Sequence, residues 1–175
     1  MVNIRYSIFE TNSSSTHAMV VSHEAPTFYP RHVHFRLDEF GWEFNILKTI
    51  DDKAAYLYTS ICCMLNDKEL IKAARDYITE ALAQVGVSCH FDTPKYENYD
   101  YYDWLENGNI DHCGEDEHYE WVNCMLADPD ALCRFLFTPT SYVVTGNDNC
   151  SDEEYEWKCE HANPPYEHTT YYKGN

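Results

Sequence analysis

Glycine is scarce, with six in 175 residues. That leaves no glycine-rich loop to cradle a phosphate, and Gly146-Asn147-Asp148-Asn149 reads as a turn. No CxxC, GxSxG or HExxH occurs, nor the alternating ligands of an EF-hand. Those absences remove the two-knuckle zinc ribbon, the hydrolase nucleophile elbow, the zincin helix and the calcium loop. No apolar run approaches the roughly 18 residues of a membrane helix. "MVNIRYSIFETN" lacks the long apolar core and small-residue cleavage site of a signal peptide, so a cytoplasmic chain is expected. In that compartment the sequons at Asn12 and Asn149 go unused and the eight cysteines are thiols or metal ligands. Basic residues are also short, 12 against 30 acids, and none lies between Lys95 and Arg134.

What is present is uneven. Residues 1–95 carry 12 acids and 9 bases, a net of −3, whereas residues 96–175 carry 18 acids and 3 bases, a net of −15. Such a surface repels nucleic acid and anionic lipid and attracts basic proteins or metal cations. Hydrophobic content of 44% and aromatic content of 15% are enough for a folded core, and 15 tyrosines suit a protein-binding surface. "YENYDYYDWLENGNIDH" condenses both features. Glu97, Asp100, Asp103, Glu106 and Asp111 alternate there with Tyr99, Tyr102 and Trp104.

Periodicity gives the elements. Val2, Ile4, Tyr6 and Ile8 alternate as in a strand, and 16–22 is a second strand, so "ETNSSSTH" is expected to be the loop of a hairpin between them. Residues 32–44 hold a third strand and a fourth after Gly41. Residues 51–65 place Ala54, Leu57, Tyr58, Ile61 and Leu65 on one helical face. Asn66-Asp67-Lys68-Glu69 is a capping box opening a second helix over 67–85, closed by Gly86. "VSCHF" is a short strand, and residues 92–120 are expected to be irregular, with one short strand or helix. "YEWVNCML" is helical, "DPDALCRFLF" is a helix with Asp128 as N-cap and Pro129 at N1, and "SYVVTG" and "YEWKCEH" are strands. The expected fold is a single α+β domain over 1–175, with a mainly antiparallel sheet and two to four helices.

For chemistry, zinc needs four nitrogen or sulfur ligands. "DHCGEDEH" offers His112, Cys113 and His118, and "CSDEEYEWKCEH" offers Cys150, Cys159 and His161; one pair from each would close a structural zinc site. Cys62, Cys63 and Cys133 lie on apolar faces and read as buried small hydrophobes, as does Cys124 beside Met125. His32 and His34 share a strand face and would need a third ligand, His17 or His23, to hold a catalytic metal, and an exposed strand edge is the simpler explanation of them. Ser13 to Ser15 with His17 form no triad, and Cys89 and His90 point to opposite faces of a strand. The chain is therefore expected to bind and not to catalyse.

"IRYSIFETNSSSTHAMVV", with Phe9 to His17 at its centre, resembles the opening of uncharacterised proteins from phages and mobile elements. The triplet Ile110-Asp111-His112 resembles a stretch in some of them. The resemblance covers about 20 residues and implies a phage setting, without an activity to carry over. By class analogy alone, small acidic phage proteins resemble inhibitors of host defence such as type II anti-CRISPR proteins. The expectation is an inhibitor in the host cytosol that binds a nucleic-acid-handling protein with a basic groove, a Cas9-type nuclease, without touching nucleic acid or membrane itself. Alternatives are a small metal-dependent hydrolase using Asp111 and His112, or a phage accessory protein with an unrelated partner.

Overall fold

The computed structural model describes residues 17–41, 43–65, 67–99, 102–110, 116–146 and 169–174. For 97–99, 102–104, 116–117, 171 and 173–174 only the backbone is described.

Helix α1 (Ile50–Leu65) is the centre of the molecule. Its start is fixed by Thr49: the Asp52 amide donates to Thr49 Oγ1 at 3.1 Å, and that hydroxyl donates back to Asp52 Oδ2 at 2.6 Å. Asp51 and Asp52 also place negative charge at the positive end of the helix dipole. The expected single apolar stripe is too narrow. Lys53 to Cys62 are all buried, so this helix is surrounded and not laid on a surface. Its polar side chains are satisfied inside. Lys53 Nζ donates to the carbonyls of Thr138 and Ser141, both at 3.0 Å. Thr59 Oγ1 accepts from the Asp38 amide at 3.2 Å, and Ser60 Oγ donates to Tyr56 O at 2.8 Å.

Helix α2 (Lys68–Ala83) is amphipathic as expected, burying Ile71, Ala74, Ile78, Ala81 and Leu82. Its N-cap is Asp67, one residue later than the capping box placed it, and Asp67 Oδ1 accepts from the Glu69 and Leu70 amides. Gly86, at φ 77°, turns the chain after the helix. Helices α3 (Asp116–Met125) and α4 (Pro129–Phe137) follow. Asp128 caps α4 through the Asp130 amide, with proline in its first turn, as the sequence implied.

The main sheet has four antiparallel strands: β1 (His17–Ser22), β4 (Asn45–Leu47), β9 (Tyr142–Thr145) and β10 (Thr169–Gly174), in the order β10-β1-β9-β4. Helix α4 lies against β1 and α3 against β10. Residues 2–9 lie outside the described residues. Over Ala18–Val20 both edges of β1 are filled, by β9 and β10. Three small pairs complete the α+β fold. β2 (His32–Phe35) runs parallel to β5 (Ser88–Phe91), and β3 (Glu39–Phe40) parallel to β8 (Asn109–Ile110). β6 (Tyr96–Tyr99) and β7 (Tyr102–Leu105) form an antiparallel pair, so 92–120 is far more regular than expected. "YEWKCEH" lies outside the described residues.

The core joins these layers through aromatic rings. Tyr56 of α1 meets Phe40, His118 and Trp121, and Trp121 meets Phe135 edge-on at 5.2 Å. On the other side of α1, Phe35 stacks on Phe91 at 4.7 Å, and Tyr58 meets both.

Candidate functional site

Two surfaces carry the residue types that the sequence singled out. The first is the β6–β7 hairpin. Its register pairs Tyr96 with Leu105, Glu97 with Trp104, Asn98 with Asp103 and Tyr99 with Tyr102. Strand alternation therefore places positions 96, 98, 103 and 105 on one side and 97, 99, 102 and 104 on the other. The first side is the anchor: Leu105 is buried, and Tyr96 OH donates to Cys62 O of α1 at 3.1 Å. The base is clamped by the amide of Glu106 donating to Lys95 O at 2.7 Å and by Asn107, which accepts from the Lys95 amide and donates to Thr93 O. Gly108 packs closely, since a Cβ there would stand 3.2 Å from Leu37 Cβ and 3.3 Å from Asp38 O and ask those neighbours to give by a few tenths of an ångström. Four of the eight residues expected to contact a partner, Glu97, Tyr99, Tyr102 and Trp104, thus fall on the side turned from the anchor. Asp103 falls on the anchor side, Glu106 is exposed at the turn, and Asp100 and Asp111 lie outside the described residues.

The second surface is the β2–β5 ladder. Strand alternation buries Val33, Phe35 and Phe91 and leaves His32, His34, Ser88 and His90 exposed. The parallel register sets His34 beside His90, with ring centroids 4.8 Å apart. His34 Nε2 donates to Asp92 Oδ1 at 2.8 Å, and Asp92 Oδ2 accepts from the Leu37 amide at 3.0 Å. Burial works against ionisation of Asp92, but the His34 hydrogen bond and the Leu37 amide outweigh it and hold the carboxyl below its ordinary range. His34, His90 and Asp92 form a group that could hold a metal ion, with donor atoms within 4.8 Å of one another.

Sequence reasoning read His32 and His34 chiefly as an exposed strand edge, and the third ligands it weighed for them, His17 and His23, are engaged elsewhere. His17 is buried: its Nε2 donates to Gly41 O at 3.0 Å, which leaves Nδ1 to accept from Tyr56 OH at 2.9 Å. His23 is bonded to Thr170 Oγ1 at 2.8 Å, and His32 Nδ1 donates to Ser88 Oγ, which itself donates to Arg31 O. The companions of His34 come from β5 and the residue after it. "CHFD" contained the signal, since His90 and Asp92 repeat the i, i+2 spacing of His32 and His34. The expected zinc ligands His112, Cys113, Cys150, Cys159 and His161 lie outside the described residues. His118, the neighbour of that group, is buried in α3, where its Nε2 donates to Ser60 Oγ at 3.0 Å.

Cys62, Cys63, Cys89 and Cys133 are not activated. Burial pushes the Cys62 thiol up to about 12 and those of Cys63, Cys89 and Cys133 up to about 11, so each is protonated near neutral pH, unlike a nucleophilic thiolate. Among the described residues no helix is long and apolar enough to cross a membrane. No protein-family model, curated protein or solved structure matches the chain.

Proposed function

We propose that this is a binding protein that docks the outer side of its β6–β7 hairpin on a basic surface of a nucleic-acid-handling host protein and blocks access of DNA to it, in the manner of an anti-CRISPR protein acting on a Cas9-type nuclease. The observation that carries this reading is the coincidence of a firmly anchored hairpin with the positions of Glu97, Tyr99, Tyr102 and Trp104 turned from its anchor, in the half of the chain with a net charge of −15. Carboxylates match a Lys/Arg groove and steer association, while tyrosine and tryptophan supply contact area in a centre from which water is excluded. A mobile-element setting in the host cytosol and a structural zinc drawn from His112, Cys113, Cys150, Cys159 and His161 belong to the same reading.

The test is a pull-down from the host with the full chain, followed by DNA binding by the captured protein with and without it. Glu97→Lys combined with Trp104→Ala is expected to weaken capture while the protein stays folded. Capture and inhibition retained in that double variant would sink the surface assignment.

A second reading, a small metal-dependent hydrolase, is favoured by one observation: two imidazoles and a carboxylate on an exposed ladder face. It shifts the chemistry from Asp111 and His112 to His34, His90 and Asp92. Turnover of ester or phosphoester substrates by metal-loaded protein, lost on adding a chelator, would support it; equal rates with and without metal would remove it.

A further inference from the structure

We propose that the outer face of the β2–β5 ladder is a binding site for a borderline divalent transition-metal ion such as zinc or cobalt, held by one ring nitrogen each from His34 and His90 and a carboxylate oxygen from Asp92, with an open coordination position towards solvent. This site stands apart from the docking hairpin and does not depend on that reading.

Backbone preorganisation is the first support. His34 and His90 are register partners in a parallel ladder, and beneath them Phe35 and Phe91, also register partners, stack at 4.7 Å in the core. Sliding either strand by a residue would turn its phenylalanine out of the core, so the two imidazoles are held side by side by the same burial that builds the fold. Asp92 is fixed at three further points: its amide donates to Phe35 O at 3.0 Å, its carbonyl accepts from Tyr58 OH at 2.8 Å, and its Oδ2 accepts from the Leu37 amide. That last bond leaves Oδ1 as the oxygen presented to His34. A carboxylate oriented by a backbone amide is the kind of outer-shell support that metal ligands characteristically have.

The donor set selects the ion. Two imidazoles and one carboxylate suit zinc, cobalt, nickel or copper, whereas calcium and magnesium require oxygen donors almost throughout. Metal bonds of about 2.1 Å in a tetrahedron set ligand atoms roughly 3.4 Å apart. His34 Nε2 and Asp92 Oδ1 stand at 2.8 Å, and all three donors lie within 4.8 Å. The adjustment therefore asks for rotation of two exposed rings, with the backbone unmoved. The ion takes the place of the proton that now bridges His34 Nε2 and Asp92 Oδ1, and the ring stays neutral by carrying its one proton on Nδ1 instead. His34 and Asp92 side chains are 46% and 34% exposed, so the side away from the strands is open to a water ligand. Three protein ligands and a water make an open site, unlike the closed four-ligand structural zinc expected from the cysteines.

His90 provides the sharpest test, because the His34–Asp92 hydrogen bond does not involve it. A simple surface staple would leave cobalt binding indifferent to residue 90; a metal site needs it. The chelator-stripped full chain is titrated with cobalt(II) chloride, with bound cobalt measured by equilibrium dialysis and its ligands by visible absorption. The expected result is one equivalent with ligand-field bands and no thiolate-to-cobalt charge transfer of its own, counted apart from any cobalt bound by cysteines and weakened at least tenfold in both His90→Gln and Asp92→Asn. Any cobalt held by cysteines elsewhere carries the charge-transfer band and stays constant across the variants. Apo His90→Gln is expected to melt with the wild type, since the ring it loses is exposed. Cobalt stoichiometry and affinity unchanged in His90→Gln and Asp92→Asn would overturn the proposal.

Discussion

His118 shows how a single buried group sets the acid limit of this protein. Burial first, and the nearby His17 second, lower its pKa from 6.5 to about 4. Between those values an unfolded chain binds a proton that the folded one refuses, so stability falls as pH drops through this window. The shift corresponds to a loss on the order of 3 kcal/mol from this one side chain. Denaturant unfolding at pH 7 and pH 4.5 should show the drop, and His118→Gln should flatten it. At alkaline pH two effects oppose each other. Lys53 is lowered from 10.5 to about 8 by burial, so its cost is relieved as pH rises between those values. The thiols of Cys62, Cys63, Cys89 and Cys133 are raised from 9.0, so their contribution is lost as pH climbs above 9. Four thiols outweigh one lysine, and the melting temperature is expected to fall between pH 9 and 11, less steeply in a Cys62→Ala/Cys133→Ala variant. Cys62 and Cys133 were legible as buried from their apolar neighbours. Lys53 was not: nothing in "DDKAAY" says that carbonyls from Thr138 and Ser141 will close over its ammonium group.

The elements that local sequence dictates are those it made readable. Asp128 followed by proline announces α4, and Asp128→Ala is expected to cost about 1 kcal/mol in unfolding free energy, through loss of the bond to the Asp130 amide. Gly86 at φ 77° has open space where a Cβ would stand, so Gly86→Ala carries backbone strain alone, about 1–2 kcal/mol by the same measurement. The small ladders were harder to read. β2 meets β5 across both α1 and α2, and alternation in "HVHF" tells which face is exposed but not which strand lies alongside. This is why His32 and His34 read chiefly as an exposed edge, with nothing linking them to the neighbours on β5. The β6–β7 hairpin was hidden differently: Asp, Asn and Glu are poor strand formers, so the alternation in "YENYDYYDWL" resembled a loop until Tyr96 and Leu105 anchored it. Register sharpens the docking reading at this scale. Glu97→Lys and Trp104→Ala, on the side turned from the anchor, are expected to weaken capture of the basic partner more than Asp103→Lys does, as measured by surface plasmon resonance. The reverse order would reject the orientation.

At the scale of the whole molecule, a net charge of −18 is a self-repulsion that salt screens. Raising ionic strength should raise the melting temperature while slowing association with a basic partner, and a binding rate indifferent to salt would argue against electrostatic docking. Composition made this property plain from the start, because charge needs no fold to be counted. Sheet order is another matter. β1 gives its whole length to β10, with His17 opposite Gly174 and Ser22 opposite Thr169. As the chain leaves the ribosome, α1, α2, α4 and β9 are complete while that edge of β1 still has no strand to meet. A nascent chain stalled short of residue 169 would offer a row of unpaired backbone groups to its neighbours on the polysome. Synthesis of β10 is thus also the step that removes the hazard of chains joining edge to edge.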